Sequence, residues 1–429
     1  MKSDASRLRW WVLLLAATAV SSSYYEDDVI GPIADLLVRQ RGFSQSQLGM
    51  LNGIMSVPNV ALALFSGLLI DRYGPALIGL IAAAIGVFGA ALTAIGNPYP
   101  LMVAGRFIFG ISEGAIFIAL MAGLAQWFPR SGIALAAALY LSLARVGSYL
   151  VDTSPAWARP LYDGGWQPPL GLGTALTLLG LASASLFYWL DRRYHPRRPM
   201  RGAVTAERVR WREVFSFDRS YWYILTLHVL FAAVFFPFRT TYAIEYFQHA
   251  KGLTLQQAGV ANSWVFFAAI FATPFFGLLA DRFGHRALML AAGTLLLPAT
   301  FIVLGMSHLS LWVSTVMMGI SFSLVPAVIW PATTLIVEPR RLGTAFGLIT
   351  LIQALGMAAS NLVAGGLADK AGAGVHNPAG YDVMLGFFFL LSLAALASAI
   401  LLWRREAGPE GHGLEDARAG LPTPQTVAI

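Results

Sequence analysis

The chain has 429 residues, 57% of them hydrophobic and 12% charged, and a mean hydropathy of +0.65. A soluble domain carries about a quarter charged residues, so this composition excludes an ordinary water-soluble protein and makes lipid the main solvent. The net charge of +7 does not point to nucleic acid, because the basic residues gather in loops, and the absence of cysteine removes disulfide, thiolate-metal and thiol redox chemistry.

A membrane helix needs about 20 apolar residues. Runs of that kind predict twelve spans, at 10–37, 50–70, 76–96, 99–127, 132–154, 169–190, 220–246, 255–280, 286–306, 309–336, 343–366 and 382–403. The first follows the basic stretch Lys2 to Arg9. No small-residue cleavage site closes it, since Ser23 leads into Tyr24, Tyr25, Glu26, Asp27 and Asp28. It is therefore read as a retained span rather than a signal peptide. An even number of spans puts both termini on one side. That side collects about 21 Lys and Arg against about 5 on the other, which predicts cytoplasmic termini.

The expected organisation is all-α: two six-helix bundles at 1–190 and 220–403, a basic cytoplasmic linker at 191–219 with nine arginines, and a cytoplasmic tail at 404–429. The two bundles repeat one another. Gly67-Leu-Leu-Ile-Asp71-Arg72-Tyr-Gly74 returns as Gly277-Leu-Leu-Ala-Asp281-Arg282-Phe-Gly284, an offset of 281 − 71 = 210. Pro129-Arg130 and Pro339-Arg340 keep that offset, as do Asp35 and Glu245, and Gly110-Ile-Ser112 returns as Gly319-Ile-Ser321. Parallel six-span repeats place a transport site at the membrane midplane between the halves.

The G-x-x-x-D-R-x-G loop after the second and eighth spans resembles the cytoplasmic signature of the major facilitator superfamily. The first copy departs from the pattern, with Pro75 and Ala76 at places usually basic, whereas the second keeps His285 and Arg286. The resemblance implies twelve transmembrane helices in two pseudo-symmetric bundles that move solute by alternating access. It assigns Asp71, Arg72, Asp281 and Arg282 to gating. A narrower resemblance is carried by Ser56-Val-Pro58-Asn59-Val, Gly105-Arg106-Phe-Ile-Phe-Gly110-Ile-Ser-Glu113, Leu141-Ser-Leu-Ala-Arg145-Val-Gly-Ser148, Phe236-Pro237-Phe238, Asn262-Ser263, Trp330-Pro331, and Leu342-Gly-Thr-Ala-Phe-Gly347 with Gln353. These are similar to the branch containing the lysosomal dipeptide uniporter. The Ala- and Gly-rich spans and short loops fit a bacterial inner-membrane relative.

Each ionisable residue within a span costs about 2.5–3.5 kcal/mol at helix centre, so each needs a reason. Glu113 and Arg145 fall near the middle of the fourth and fifth spans, on consecutive antiparallel helices where they could meet. One reading is a structural pair that locks the first half. The other is a grip on a zwitterion, Arg taking a carboxylate and Glu an ammonium. A shift of 210 carries Arg145 onto Leu355, and a shift of 209 or 210 carries Glu113 onto Phe322 or Ser323. The charges thus exist in one half only, which favours the substrate role. The resemblance also makes both of them cavity residues.

Arg106, seven residues before Glu113, is expected on the same face. The fourth-span resemblance implies a structural or coupling role for it in gating. Asp28 falls on the branch's first-span Asp and is expected to meet Arg239 of the seventh span, as an outer gate pair or at the substrate. Glu26 and Asp27 are expected to reach outer water. Tyr24, Asn59, Tyr242, Asn262, Trp330 and Gln353 are further candidate substrate contacts, and His228 a candidate proton shuttle.

Three substrate readings stay open: a small zwitterion, most simply a dipeptide; an organic anion or monocarboxylate; and an apolar drug exchanged for protons at Glu113. The implied partners are a small-molecule substrate, protons and membrane lipid, with no nucleic acid, and the chain is expected to act as a monomer. No Walker loop, paired-His spacing or Ser-His-Asp arrangement is present, so no cofactor, metal or enzyme activity is expected.

Overall fold

A backbone crossing hydrocarbon must satisfy its own N–H and C=O groups, and a helix does so within one segment. The computed structural model describes residues 2–129, 132–194, 217–306 and 311–416, and these form fifteen α-helices: α1 (Lys2–Asp27), α2 (Ile30–Arg41), α3 (Gln45–Tyr73), α4 (Pro75–Ile95), α5 (Tyr99–Trp127), α6 (Ile133–Trp157), α7 (Arg159–Asp163), α8 (Gln167–Tyr194), α9 (Arg219–Phe236), α10 (Ala243–Lys251), α11 (Leu255–Phe283), α12 (Arg286–Gly305), α13 (Leu311–Ile336), α14 (Leu342–Lys370) and α15 (Tyr381–Glu406). Ten of the spans they build are long and apolar enough to cross a membrane, by length and composition, among the described residues. α1 and α3, at 26 and 29 residues, are long enough at ~1.5 Å per residue to complete twelve. Phe88, Phe271, Leu278 and Leu390 point outward and are exposed, as suits a surface that meets lipid.

The first and seventh spans are not the single helices expected. α1 ends at Asp27 and the chain restarts at Ile30 as α2. The seventh span passes through a π-helical segment, Pro237–Tyr242, before α10. The two breaks are repeat-equivalent, since 27 + 210 = 237. In the seventh span Pro237 withholds a backbone donor. In the first, the last carbonyls of α1 turn to a side chain: Arg106 donates to the backbone oxygens of Glu26 and Asp27, each at 2.7 Å, a cation on a helix C-terminus.

The repeat extends to the helix ends. α2 closes on Gly42 and α10 on Gly252, both left-handed at φ 65° and 67°, a conformation that favours glycine. Two residues later each chain starts its next long helix with a capping box, Ser44 with Gln47 and Thr254 with Gln257. Ser112 on α5 donates to Ala82 O on α4, and Ser321 on α13 donates to Gly293 O on α12, both at 2.7 Å.

The halves meet at one end of the molecule, the end carrying α2 and α10. There Gln45 N and Ser46 N donate to the Asp369 carboxylate at 2.7 and 2.8 Å, and Gln45 Nε2 donates to Glu245 at 2.7 Å. His249 Nε2 lies 2.9 Å from Asp35 Oδ1 of the other half, and its Nδ1 lies 2.8 Å from the Tyr381 hydroxyl. At the opposite end Asp71, Arg72 and Arg282 are exposed, the two guanidiniums lying near their neighbours Tyr73 and Phe283. Asp71 makes no ion pair among the described residues, and the Asp281 side chain lies outside the described ones. We call these the closed end and the gate-loop end.

The first part of the tail packs back onto the bundle. His412 N and Nδ1 meet the Glu406 carboxylate at 2.7 and 2.9 Å, and Leu414 is fully buried. Leu414 O accepts from Arg286 N at 2.8 Å, and Glu415 accepts from Leu288 N at 3.0 Å and pairs with His285 Nδ1 at 2.9 Å. α12 lacks a side-chain cap from its own N-cap residue, His285, so the tail caps it. Residues 195–216 of the linker, and 417–429 of the tail, lie outside the described residues.

Candidate functional site

A cavity of ≈770 Å³ lies between the halves, lined by residues of both, and it runs from Asn52, Thr240 and Asn361 near the closed end as far as Ala137 and Gly277. Of the expected substrate contacts, Tyr24, Asn59, Glu113, Arg145, Trp330 and Gln353 line it. Glu113 Oε2 accepts from Asn59 Nδ2 at 3.5 Å. The Arg145 guanidinium sits among three rings, 4.6 Å from Tyr24, 5.0 Å from Phe266 and 5.1 Å from Phe322. Rings hold a guanidinium by their negative faces without consuming its N–H donors. Glu113 and Arg145 make no ion pair with each other among the described residues, so the structural-lock geometry is not present.

Four expected contacts lie elsewhere. Asp28, Arg239, Tyr242 and Asn262 are buried behind the closed end of the cavity and are absent from its walls. Asp28 pairs with Arg239 at 2.6 Å, but Arg239 also binds Asp152 of α6. Asn262 Nδ2 donates to Asp152 Oδ1 at 3.1 Å and to Arg239 O at 3.2 Å, and Tyr242 donates to Asn361 O at 2.5 Å. Their bonds run to one another, to Asp152 and to Asn361 rather than into the cavity. The arrangement joins the seventh span to α1, α6 and α11.

Two acids were also misplaced. Glu26 does not reach water: it is fully buried against Gly173 of α8. Asp27 is half-buried and lines the cavity. The break after α1 swings consecutive residues to different neighbours. His228 is not on the cavity wall either; it is buried and bonded through Nε2 to Gln353 Oε1 at 2.7 Å. Arg106 is fully buried within the first half. Besides the two α1 carbonyls it donates to Leu51 O at 3.2 Å and Asn52 Oδ1 at 2.7 Å. Asn52 in turn donates to Thr241 Oγ1 across the interface at 2.8 Å.

The important omissions are Asp152 and Asn52. Asp152 lies inside the predicted fifth span, so the rule that selected Arg145 would have found it. Asn52 stands at the same repeat position as Asn262 (262 − 52 = 210).

Twelve spans in two repeats, meeting at one end over a central charged cavity, define a membrane carrier. The chain belongs to the Major Facilitator Superfamily, whose model matches residues 16–243 and again 224–426. It is 30% identical over 372 residues to the lysosomal dipeptide transporter MFSD1 of Danio rerio, covering 83% of this chain and 78% of that protein. It is 24% identical over 415 residues to the probable sulfoacetate transporter SauU of Cupriavidus necator, covering 88% and 90%. Its fold matches a bacterial homolog of the human lysosomal transporter Spinster, solved inward-facing and unoccupied, with a TM-score of 0.71 at 17% identity over 92% of this chain and 97% of that one. The protein is a multi-pass membrane transporter of a small molecule and not an enzyme.

Proposed function

We propose that this chain carries dipeptides across a bacterial inner membrane by alternating access, with Glu113 taking the amino end and Arg145 the carboxylate. The observation that carries the reading is that both charges line one cavity without pairing with each other. A buried charge is stable only when compensated, so a ligand bearing the opposite pair of charges suits both. The likeness to a dipeptide transporter over most of the chain supports the same substrate class.

An organic anion is the second reading, supported by the likeness to a probable sulfoacetate transporter. The walls weigh against it. Two carboxylates, Asp27 and Glu113, and one guanidinium, Arg145, line the cavity, so a simple anion would meet an excess of its own sign.

In this proposal the closed end faces outward and the gate-loop end faces the cytoplasm, following the distribution of Lys and Arg. The Asp28–Arg239–Asp152 cluster then serves as the outer latch. Uptake into proteoliposomes of a dipeptide, a monocarboxylate and a cationic dye tests the assignment. Dipeptide uptake with little of the other two is expected; carboxylate uptake without dipeptide uptake overturns it.

A further inference from the structure

Gln353 stands on α14 in the C-terminal wall of the cavity, across the interface between the halves from Glu113 and Arg145. Its side chain is not free to turn. Oε1 lies 2.7 Å from Nε2 of His228 on α9. His228 is 6% exposed, and Trp330 packs edge-on against its ring at 5.3 Å. The other ring nitrogen, Nδ1, has no hydrogen-bond partner among the described residues. Orphaned buried N–H groups are rarer in folded proteins than buried acceptors left short of a donor. The ring proton therefore belongs on Nε2, donating to the Gln353 carbonyl.

That bond fixes the orientation of the amide. With Oε1 turned to His228, the two Nε2 donors face away from it, where the Met357 sulfur lies at 3.7 Å, a weak acceptor. The wall thus presents a neutral donor with capacity to spare. A neutral donor is suited to a neutral acceptor, and a site built to bond one rejects a ligand that lacks it.

We propose that Gln353, positioned by His228, is a subsite that donates to the carbonyl oxygen of the substrate's peptide bond. The inference rests on the dipeptide reading above and extends it. The charged ends of the ligand go to the N-terminal half and its peptide group to the C-terminal half, so one molecule engages both moving parts. His228 is a positioning residue and carries no transported proton.

Competition for uptake in proteoliposomes tests this with alanyl-alanine, its ketomethylene isostere, which keeps the carbonyl, and its (E)-alkene isostere, which lacks the carbonyl but keeps both charged ends. The first two should compete alike and the alkene about tenfold more weakly, the worth of one neutral hydrogen bond. Gln353→Leu should bring dipeptide and alkene within about twofold of each other. His228→Gln, whose Nε2 can replace the ring nitrogen, should keep the discrimination, and His228→Phe should lose it. A histidine that only filled space would not separate these two variants. Equal competition by dipeptide and alkene in the unaltered protein overturns the subsite and leaves the dipeptide reading standing. Failure of alanyl-alanine itself to compete or enter overturns both.

Discussion

Gly49 and Gly259 occupy the same place in the two halves, 259 − 49 = 210 residues apart, and each lies against a backbone carbonyl of the opposite half. A β-carbon on Gly49 would stand 2.3 Å from Asn361 O, and one on Gly259 would stand 2.1 Å from Asp152 O. The carbonyls belong to α14 and α6, the fifth span of each half. Beside them the repeat-equivalent Asn52 and Asn262 each donate across the interface, Asn52 to Thr241 and Asn262 to Asp152. The closed end is one pattern used twice.

Under the alternating-access proposal the glycines are obligatory only while this end is closed. Gly49→Val and Gly259→Val should each hold the closed end apart while leaving the separate halves folded. Distances between spin labels placed on α3 and α14, or on α6 and α11, should shift to a longer population at that end. An unchanged distribution in both variants would show that the close approach is not a state-dependent contact.

Asp152→Ala removes one of the two carboxylates that hold Arg239 and strands an Asn262 donor. Breaking a buried pair costs about 3–5 kcal/mol, and Asp28 retains part of it. The closed end should open more often. The chain has no native cysteine, so a Thr240→Cys reporter on the cavity wall gives a clean background. Its reaction with an impermeant maleimide added from the closed side should quicken at least about tenfold, the equivalent of ~1.4 kcal/mol. No acceleration would mean that the cluster is not a latch.

Arg106 holds three carbonyl oxygens and Asn52 together at the break between α1 and α2. Arg106→Lys cannot reproduce a fork of that span. It should lower stability in detergent by about 3 kcal/mol, several orphaned acceptors at ~1 kcal/mol each. Thermal unfolding followed by tryptophan emission measures this, and a variant as stable as its parent would contradict the structural role.

Glu415→Ala should release the N-terminus of α12, since the tail supplies the cap that His285 does not. The loss of a cap costs about 1 kcal/mol, so hydrogen exchange at the Leu288 amide should quicken roughly fivefold. Unchanged exchange there would mean that the tail contact is not maintained in solution.

Much of the fold was legible because hydropathy and a fixed repeat are properties of the chain itself. Asp71 and Asp281 alone give the 210-residue register, and the same register recovers Gly42 with Gly252 and Ser44 with Thr254. The break after Asp27 was not legible: the side chain that bonds its carbonyls, Arg106, lies on another helix. The site divided along the same line. Glu113 and Arg145 could be placed because a charge in a span is conspicuous at any position. Asp28 and Arg239 are just as conspicuous, but whether they, or the uncharged Tyr242 and Asn262, face the cavity or another polar group depends on partners such as Asp152 and Asn361. Those partners come from helices far away in sequence. The folded-back tail rests on the buried Leu414 and on the bonds that Leu414 and Glu415 make to the start of α12, which no periodicity announces.

The central claim is that Glu113 and Arg145 receive the two charged ends of one ligand, and uptake by single variants tests it most directly. A free dipeptide, its N-acetyl form and a simple carboxylate are compared in the parent protein, Glu113→Gln and Arg145→Lys. The parent should take up the free dipeptide and reject the N-acetyl form, which offers Glu113 no ammonium. Each variant should lose at least about tenfold in dipeptide uptake, because one charge of the pair is left without its partner. Equal uptake of the free and acetylated dipeptides, or full uptake by Glu113→Gln, would contradict the account.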